Sequence, residues 1–423
     1  MTRAGTTGWA AACALALLSG LPQTATAAEA DFYKGKKVTF YVGYSPGGGY
    51  DTYSRLAARH LGKHIPGQPG VIVKNRPGAG SLRLANELYS SLPQDGTVIG
   101  MIGNNLHLLE LVEKPNIRFV ATKFNWLGRL TDGDTIFVVR PSAGVNSFDD
   151  VRRKQVLVGV PGAGSATTMM LTVVNNVLGA KFKLISGYKG SSGIRLAVER
   201  GEVEGLQSII WSVHKPWIQR NNFKVLYQIP VKRLPSLKDI PSIIEYAKTP
   251  EQKRLINFFS SYVTVGRSVV APPGIPKGRV AALRAAFMEM TRDPALLAEV
   301  KKKKMRFRPM SGEDLQALIA SAFDLSDDLK AKAKEAAKVG KLKKRKIVLV
   351  TTTAKIVKRN KKGSRLTLEE KGGKTVKALV HRRRTKITID GKKAKRGATM
   401  VGMTCEMEYE GSGSEATKLN CRN

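Results

Sequence analysis

The sequence predicts an α/β protein of two lobes joined by hinge strands, followed by a small antiparallel β-domain. Three observations lead there. Strand and helix patterns alternate from Lys36 to about Lys334, in two separate runs. Four of the strand-to-helix turns are glycine-rich: "YSPGGGYD", "RPGAGS", "VPGAGSATT" and "YKGSSG". Beyond Val339 the pattern becomes short, β-branched and alternating, with dense Lys and Arg.

The elements follow in order. "KVTFYVGY" reads as a buried strand. "DTYSRLAARHLGKHI" places Tyr53, Leu56, Ala57 and Leu61 at helical spacing, and "PGQPG" stops it. "GVIVKN" is the next strand, "SLRLANELYSSL" the next helix, and "TVIGMIG" the third strand. Loops this short between strand and helix argue for a parallel sheet under helices. The second run opens with "FDDVRR", a helix with an acidic first turn. It continues through "VLVGVPGAGSATTMMLTVVNNVLG", "FKLISGYKGSSGIRLAVERGEVEG" and the strand "LQSII". "DTIFVVRPSAG" and "FFSSYVTVGRSVVAPPG" read as segments crossing between lobes. "PKGRVAALRAAFMEMTRD" and "GEDLQALIASAFDLSDDLKAKAKEAAK" read as amphipathic helices returning to the first lobe. The expected boundaries are 28–138 with 266–338 for lobe I, 139–265 for lobe II, and 339–423 for a basic, barrel-like β-domain.

Arg3, the apolar run "WAAACALALLSGL" and the small residues "ATA" at 25–27 read as an export signal over 1–27, cut near Ala27 or Ala28. Cys13 leaves with it. Cys405 and Cys421 remain, and an oxidising compartment favours a disulfide between them. Two cysteines without a paired histidine make a poor zinc site. His60 and His64 stand one helical turn apart but lack the Glu of a zinc protease, and read as exposed helix-face residues. Asp132 and Asp134 supply only half a calcium loop. No Gly-x-Ser-x-Gly elbow occurs. The reading therefore names no catalytic residue, metal or cofactor, and no enzyme.

The glycine loops decide the function. "SPGGGYD" lacks the Lys-Ser/Thr ending of a nucleotide phosphate loop. The dinucleotide pattern fails at its last glycine, and "VIVKN" ends without the acidic ribose partner. What remains is general: glycines admit backbone N–H groups to an anion, and the following helix adds its positive end. Gly47, Gly48, Gly49, Gly80, Gly162 and Gly164 supply close backbone approach; Ser45, Ser81, Ser165, Ala166, Thr167 and Thr168 supply hydroxyls or amides. Tyr44, Tyr50, Asn104 and Asn105 are candidates to line the cleft. Tyr50 either stacks on a ligand or packs at the helix start. Asp51 either caps that helix or meets a ligand amine or hydroxyl. Lys189 either pairs with an anion or stays solvated.

Together, "VTFYVGYSPGGGYDTYSRLAARHLGKHIPG", "VKNRPGAGS", "PQDGT", "YKGSSGIRLAVERGEVEG" and "VVAPPGIP" resemble the solute-binding receptors of tripartite tricarboxylate transporters, over about residues 30 to 335. The resemblance implies a hinged periplasmic fold that closes on a small organic acid. It also implies that main-chain N–H groups from Ser45–Asp51 and Gly162–Thr168 hold the ligand carboxylate, and that inner-membrane transporter subunits are partners. One departure stands out: Tyr44-Ser45 precede the glycines where the family more often has Phe-Pro or Pro-Pro. Ligand sensing rather than uptake is the nearest alternative.

The formal charge of +38 points to acidic partners. Residues 341–423 hold 24 Lys or Arg against 7 Asp or Glu. Through residues 341–396 this domain is read either as adhering to an anionic envelope surface or as a solvated basic face. If the former carries the function, the lobes are vestigial. Nucleic acid is not expected, because Tyr409 is the only aromatic residue beyond 340.

Overall fold

A computed structural model describes residues 29–340, 342–345, 349–382, 384–410 and 414–422. The expected export signal, its cleavage point near Ala27 or Ala28, and Cys13 lie outside the described residues.

Two six-stranded sheets form the lobes. The first runs β11-β4-β10-β3-β1-β2, from β1 (Lys37–Val42), β2 (Gly70–Asn75), β3 (Val98–Met101), β4 (Asn125–Arg129), β10 (Ser268–Ala271) and β11 (Met310–Ser311). β1 pairs in parallel with β2 and β3, as short βαβ connections require. β10 pairs antiparallel with β3 and β4, so the sheet is mixed. The second runs β12-β7-β6-β8-β5-β9, from β5 (Thr135–Val139), β6 (Val156–Val160), β7 (Phe182–Ser186), β8 (Gly205–Ile210), β9 (Lys224–Gln228) and β12 (Lys343–Lys344). Here β6 pairs in parallel with β7 and β8, while β5 is antiparallel to β8 and β9. The central strands read as continuous apolar runs because helices cover both faces. On the first sheet Phe40, Tyr53, Leu56 and Phe287 pack one face, and on the second Ile136, Ile194 and Trp217 pack another. A third core joins the remaining faces, from Leu88 and Phe124 through Phe137 to Met170 and Phe259.

Two of the crossings between lobes run side by side. Arg267 N–H donates to Thr131 O at 2.8 Å, Leu130 N–H to Arg267 O at 2.9 Å, and Gly133 N–H to Val263 O at 2.8 Å. Gly266, at φ +59°, allows this approach; a Cβ there would stand 2.0 Å from Thr131 O. The crossing thus lies at Leu130–Asp134, and the expected change of lobe at 138/139 falls inside β5, which pairs wholly in the second sheet.

One expectation is corrected. Helices Lys277–Arg292 and Gly312–Ser321 cover the first sheet, but helix Asp327–Ala336 does not return to that lobe alone. Asn176 Nδ2 donates to Ala336 O at 3.0 Å and Lys332 pairs with Glu251 at 2.9 Å, both on the second lobe. Lys334 reaches Glu113 on the first. Small buried residues, Ala333 and Ala336, let this helix lie against helix Ala166–Leu178. It straps the two lobes together.

The C-terminal sheet runs β15-β14-β13-β18-β19-β16-β17, with β17 the short strand Lys392–Lys393. Its main strands are β13 (Val350–Arg359), β14 (Arg365–Glu370), β15 (Thr375–Leu379), β18 (Thr404–Tyr409) and β19 (Ala416–Arg422). Alternation puts Ala354, Ile356, Leu366, Leu368, Met407 and Leu419 into a core of its own. A bridge from Leu379 to Glu415 brings the β15 edge back to the chain entering β19, curling the sheet. The pairing is not antiparallel throughout: β16 (Lys386–Ile389) lies parallel to β19. Cys405 and Cys421 stand directly opposite each other on β18 and β19 and form a disulfide. β12 adds this domain's leading segment to the edge of the second lobe's sheet, beside β7.

Candidate functional site

The lobes meet face to face. Ser45 N–H donates to Lys189 O at 3.0 Å, Ser192 Oγ to Pro46 O at 3.0 Å, and Asn105 Nδ2 to Gly164 O at 3.3 Å. Glycine makes this possible at Gly80, whose φ is +71° and whose Cβ would lie 2.3 Å from Ser165 N across the interface. These contacts enclose a cavity of about 40 Å³. That is a few waters' worth of space, since about 10–15 Å³ holds one.

Three helices point their N-termini at that cavity. Gly49 and Tyr50 begin helix Gly49–Leu61, Ala166 and Thr167 begin helix Ala166–Leu178, and Ser191 begins helix Ser191–Arg200; all five line it. First-turn N–H groups have no intrahelical partner, and each N-terminus carries partial positive charge. Sequence order made these turns look alike. The fold brings one from the first lobe opposite two from the second.

The predicted residues divide into liners and framers. Gly48, Gly49, Tyr50, Asn104, Ala166 and Thr167 line the cavity, with Tyr44. Tyr50 packs against Tyr44 at 4.4 Å between centroids, and its hydroxyl donates to Asn104 Oδ1 at 2.8 Å. Asn104 Nδ2 donates to Tyr262 O at 2.9 Å, tying this wall to the hinge. The others lie around the cavity without lining it. Asp51 accepts from Gly47 N–H at 2.9 Å, from Asn75 Nδ2 at 2.8 Å and from Arg55, so its carboxylate latches the glycine loop. Ser165 caps helix Ala166–Leu178 by accepting from Thr168 N–H at 3.2 Å. Ser81 Oγ accepts from Gly103 N–H at 3.0 Å. Gly80, Gly162 and Gly164 pack backbone on backbone where the lobes touch. Lys189 offers its carbonyl to Ser45, and its residue is exposed. His60 and His64 are less exposed than expected: their side chains, 12% and 21% exposed, face Glu299 and Asp293.

Sequence reading missed the polar interior. Arg267 is 4% exposed, lines the cavity, and holds its guanidinium 4.0 Å over the Tyr50 ring. Among the described residues its Nε has no hydrogen-bond partner and no carboxylate pairs with it. Gln207 Oε1 accepts from Tyr227 at 2.6 Å, leaving buried Nε2 without an acceptor. His214 Nδ1 bonds to Ile210 O at 2.9 Å, so Nδ1 carries the proton and Nε2 keeps its lone pair. Burial holds the His214 pKa down at about 4, so the ring is neutral near pH 7. Thr135 Oγ1 is buried and unpartnered at the same cavity. Only Arg267 left a trace in the sequence, as a lone charge inside "YVTVGRSVVA". The cavity therefore combines one buried unpaired cation, three helix N-termini, an amide donor and an imidazole acceptor. Leaving a buried cation unpaired is costly.

The model of the family described as tripartite tricarboxylate transporter family receptor matches residues 54–333. A curated protein of Cupriavidus necator, "UPF0065 protein in gbd 5'region", is 28% identical over 247 residues, covering 56% of this chain and 72% of its own length. Two solved structures share the fold. MatC from Rhodopseudomonas palustris, with bound malate, has a TM-score of 0.57 at 16% identity, covering 72% of this chain and 99% of its own. An R. palustris protein with adipate has a TM-score of 0.57 at 20% identity, covering 72% and 97%. The basic β-domain lies beyond the matched residues. The family is one of solute-binding receptors, not an enzyme class. The chain belongs to the tripartite tricarboxylate transporter receptor family.

Proposed function

We propose that this chain captures a small organic anion, a carboxylate, between its two lobes and delivers it to the membrane subunits of a tripartite tricarboxylate-type transporter. Receptors of the family are periplasmic binding proteins, and export through the N-terminal signal, cut near Ala27 or Ala28, belongs to the same reading. Among the described residues no helix is long and apolar enough to cross a membrane.

The observation that carries the proposal is Arg267, a buried guanidinium without a carboxylate, facing three helix N-termini across one small cavity. One ligand carboxylate sits on the first-turn amides of Gly49, Tyr50, Ala166 and Thr167. Arg267 and the Gln207 amide take further ligand oxygens, and neutral His214 accepts from a ligand hydroxyl. The two R. palustris proteins hold dicarboxylates, which fits a cleft with two separate sets of donors. Ser45, Gly47, Gly80, Gly162, Gly164, Ser165 and Lys189 act in closure, through contacts between lobes, while Ser81 braces the first-lobe wall. Contacts to both lobes are what let a ligand favour the closed arrangement.

A thermal-shift screen of mono-, di- and tricarboxylates tests the reading. A ligand at 100 times its Kd stabilises by about 2.7 kcal/mol. No shift with any carboxylate would sink it. Uptake, as against sensing, is tested by reconstituting transport with the membrane subunits: carboxylate uptake that does not depend on added receptor points to sensing.

A further inference from the structure

We propose that the basic end of the β-domain docks on the surface of an anionic phospholipid bilayer. Segments 355–365 and 391–404 contain ten Lys or Arg and no acid. The fold brings them together. Ile356 N–H donates to Met403 O at 2.9 Å, and Gly402 N–H to Ile356 O at 2.8 Å. Gly363 lies so close to Arg396 that a Cβ there would stand 2.3 Å from its carbonyl oxygen. Among the described residues none of the ten has an ion pair.

Apolar side chains stand among these cations. Met400 is 53% exposed and Val401 57%, more than any other large apolar residue described. Val357, at a β-bulge beside them, is 37% exposed. Their shape is built in: Thr399 Oγ1 donates to Arg396 O at 2.8 Å, Ala398 N–H to Lys395 O at 2.9 Å, and Arg359 reaches Met400 Sδ at 3.3 Å. A pair of exposed apolar side chains on a preformed turn, collared by unpaired cations, matches a bilayer surface in charge and depth. The side chains enter the acyl boundary and the cations stay with the lipid phosphates. A rigid anionic polysaccharide has no use for Met400 and Val401.

The basic end stands apart from the fastened one. β18 leads from Thr404, at the basic end, to Tyr409, a span of about 20 Å at ~3.4 Å per residue. The opposite end is fastened to the second lobe. Glu410 pairs with Arg345 at 2.6 Å and accepts from Arg200, and Arg345 N–H donates to Ser186 O at 2.9 Å. Docking would hold the second lobe at the membrane and leave the first to swing.

Flotation of the full chain with vesicles tests this. The expected result is binding to phosphatidylglycerol/phosphatidylcholine vesicles, steep loss of binding as salt rises, and none to phosphatidylcholine alone. Met400→Ser with Val401→Ser should weaken partitioning roughly tenfold or more. Lys361→Glu with Lys362→Glu should do the same, whereas Lys301→Glu with Lys302→Glu, equally exposed on the first lobe, should not. A Val401→Trp reporter should shift its emission to the blue on the anionic vesicles. Equal loss from both lysine pairs would reduce the effect to bulk charge and overturn the proposal. So would indifference to the Met400 and Val401 changes, an unmoved Trp emission, or retention on peptidoglycan without vesicle binding.

Discussion

Arg267 stands alone in the cleft at 4% exposure, whereas the basic end of the β-domain carries ten Lys or Arg, nearly all in water. Both places are proposed here to attract anions, by different physics. Burial strips away the solvent screening, so one guanidinium acts strongly, at short range and on a single partner. The exposed cations are screened within about 10 Å and act as a diffuse, salt-sensitive field. Selectivity for a solute follows from the first arrangement. Attraction to a surface follows from the second.

Removing the buried charge should show the largest effect. Arg267→Met should weaken carboxylate binding by about 100-fold or more, as loss of a charge-assisted bond predicts. Calorimetry checks it, and unchanged affinity would remove Arg267 from the site. The unliganded protein should be no less stable, since the substitution relieves an unpaired buried cation.

Next is the disulfide. Replacing Cys405 and Cys421 by Ser should destabilise the β-domain by about 3 kcal/mol in the chain-entropy model, while ligand affinity stays constant. If affinity fell as well, the two regions would be coupled rather than separate. Denaturant unfolding of the full chain, followed on both parts, makes the measurement.

Gly80→Ala acts on closure. Its added Cβ meets the Ser165 backbone only when the lobes are shut, so affinity should fall roughly tenfold or more, with a smaller strain cost at φ +71°. Small-angle scattering with ligand should report lobes held apart.

Acid should act more weakly, and on the lobes. Burial holds His214 at about 4 and His107 at about 3. The unfolded chain binds protons first, near pH 6.5. Lobe stability should therefore be flat above about pH 6.5 and fall as pH drops toward 4. His214→Gln should flatten part of that slope. The smallest expected effect is on ligand affinity in Lys361→Glu with Lys362→Glu: none beyond about 0.5 kcal/mol.

Much of the fold was legible locally. A strand, a glycine turn and a helix each span a few residues, and short loops restrict how they connect. "VTFYVGYSPGGGYD" alone marked one wall of the cleft. The β-domain announced itself by alternation, as at Ala354 and Ile356, and its cysteines by being the only two of the sequence's three outside the expected export signal. Helix Asp327–Ala336 was misplaced because its alanine face fits either lobe; Asn176 and Glu251, far away in sequence, settle where it lies. Asp51 looked like a cap or a contact and is a latch, because Asn75 and Gly47 reach it first.

The sequence by itself determined which segments become strands and helices, where the chain turns, and that four glycine-rich strand-to-helix turns would offer backbone amides; the fold chose the three helix starts that meet at one cavity. Periodicity and turn chemistry are short-range, so they are written where they act. Tertiary structure alone decided that Arg267 is buried without a partner, that Gln207 spends its oxygen on Tyr227, and that His214 is neutral. Each of those states depends on which distant groups arrive at hydrogen-bonding distance and which do not. No local pattern records that.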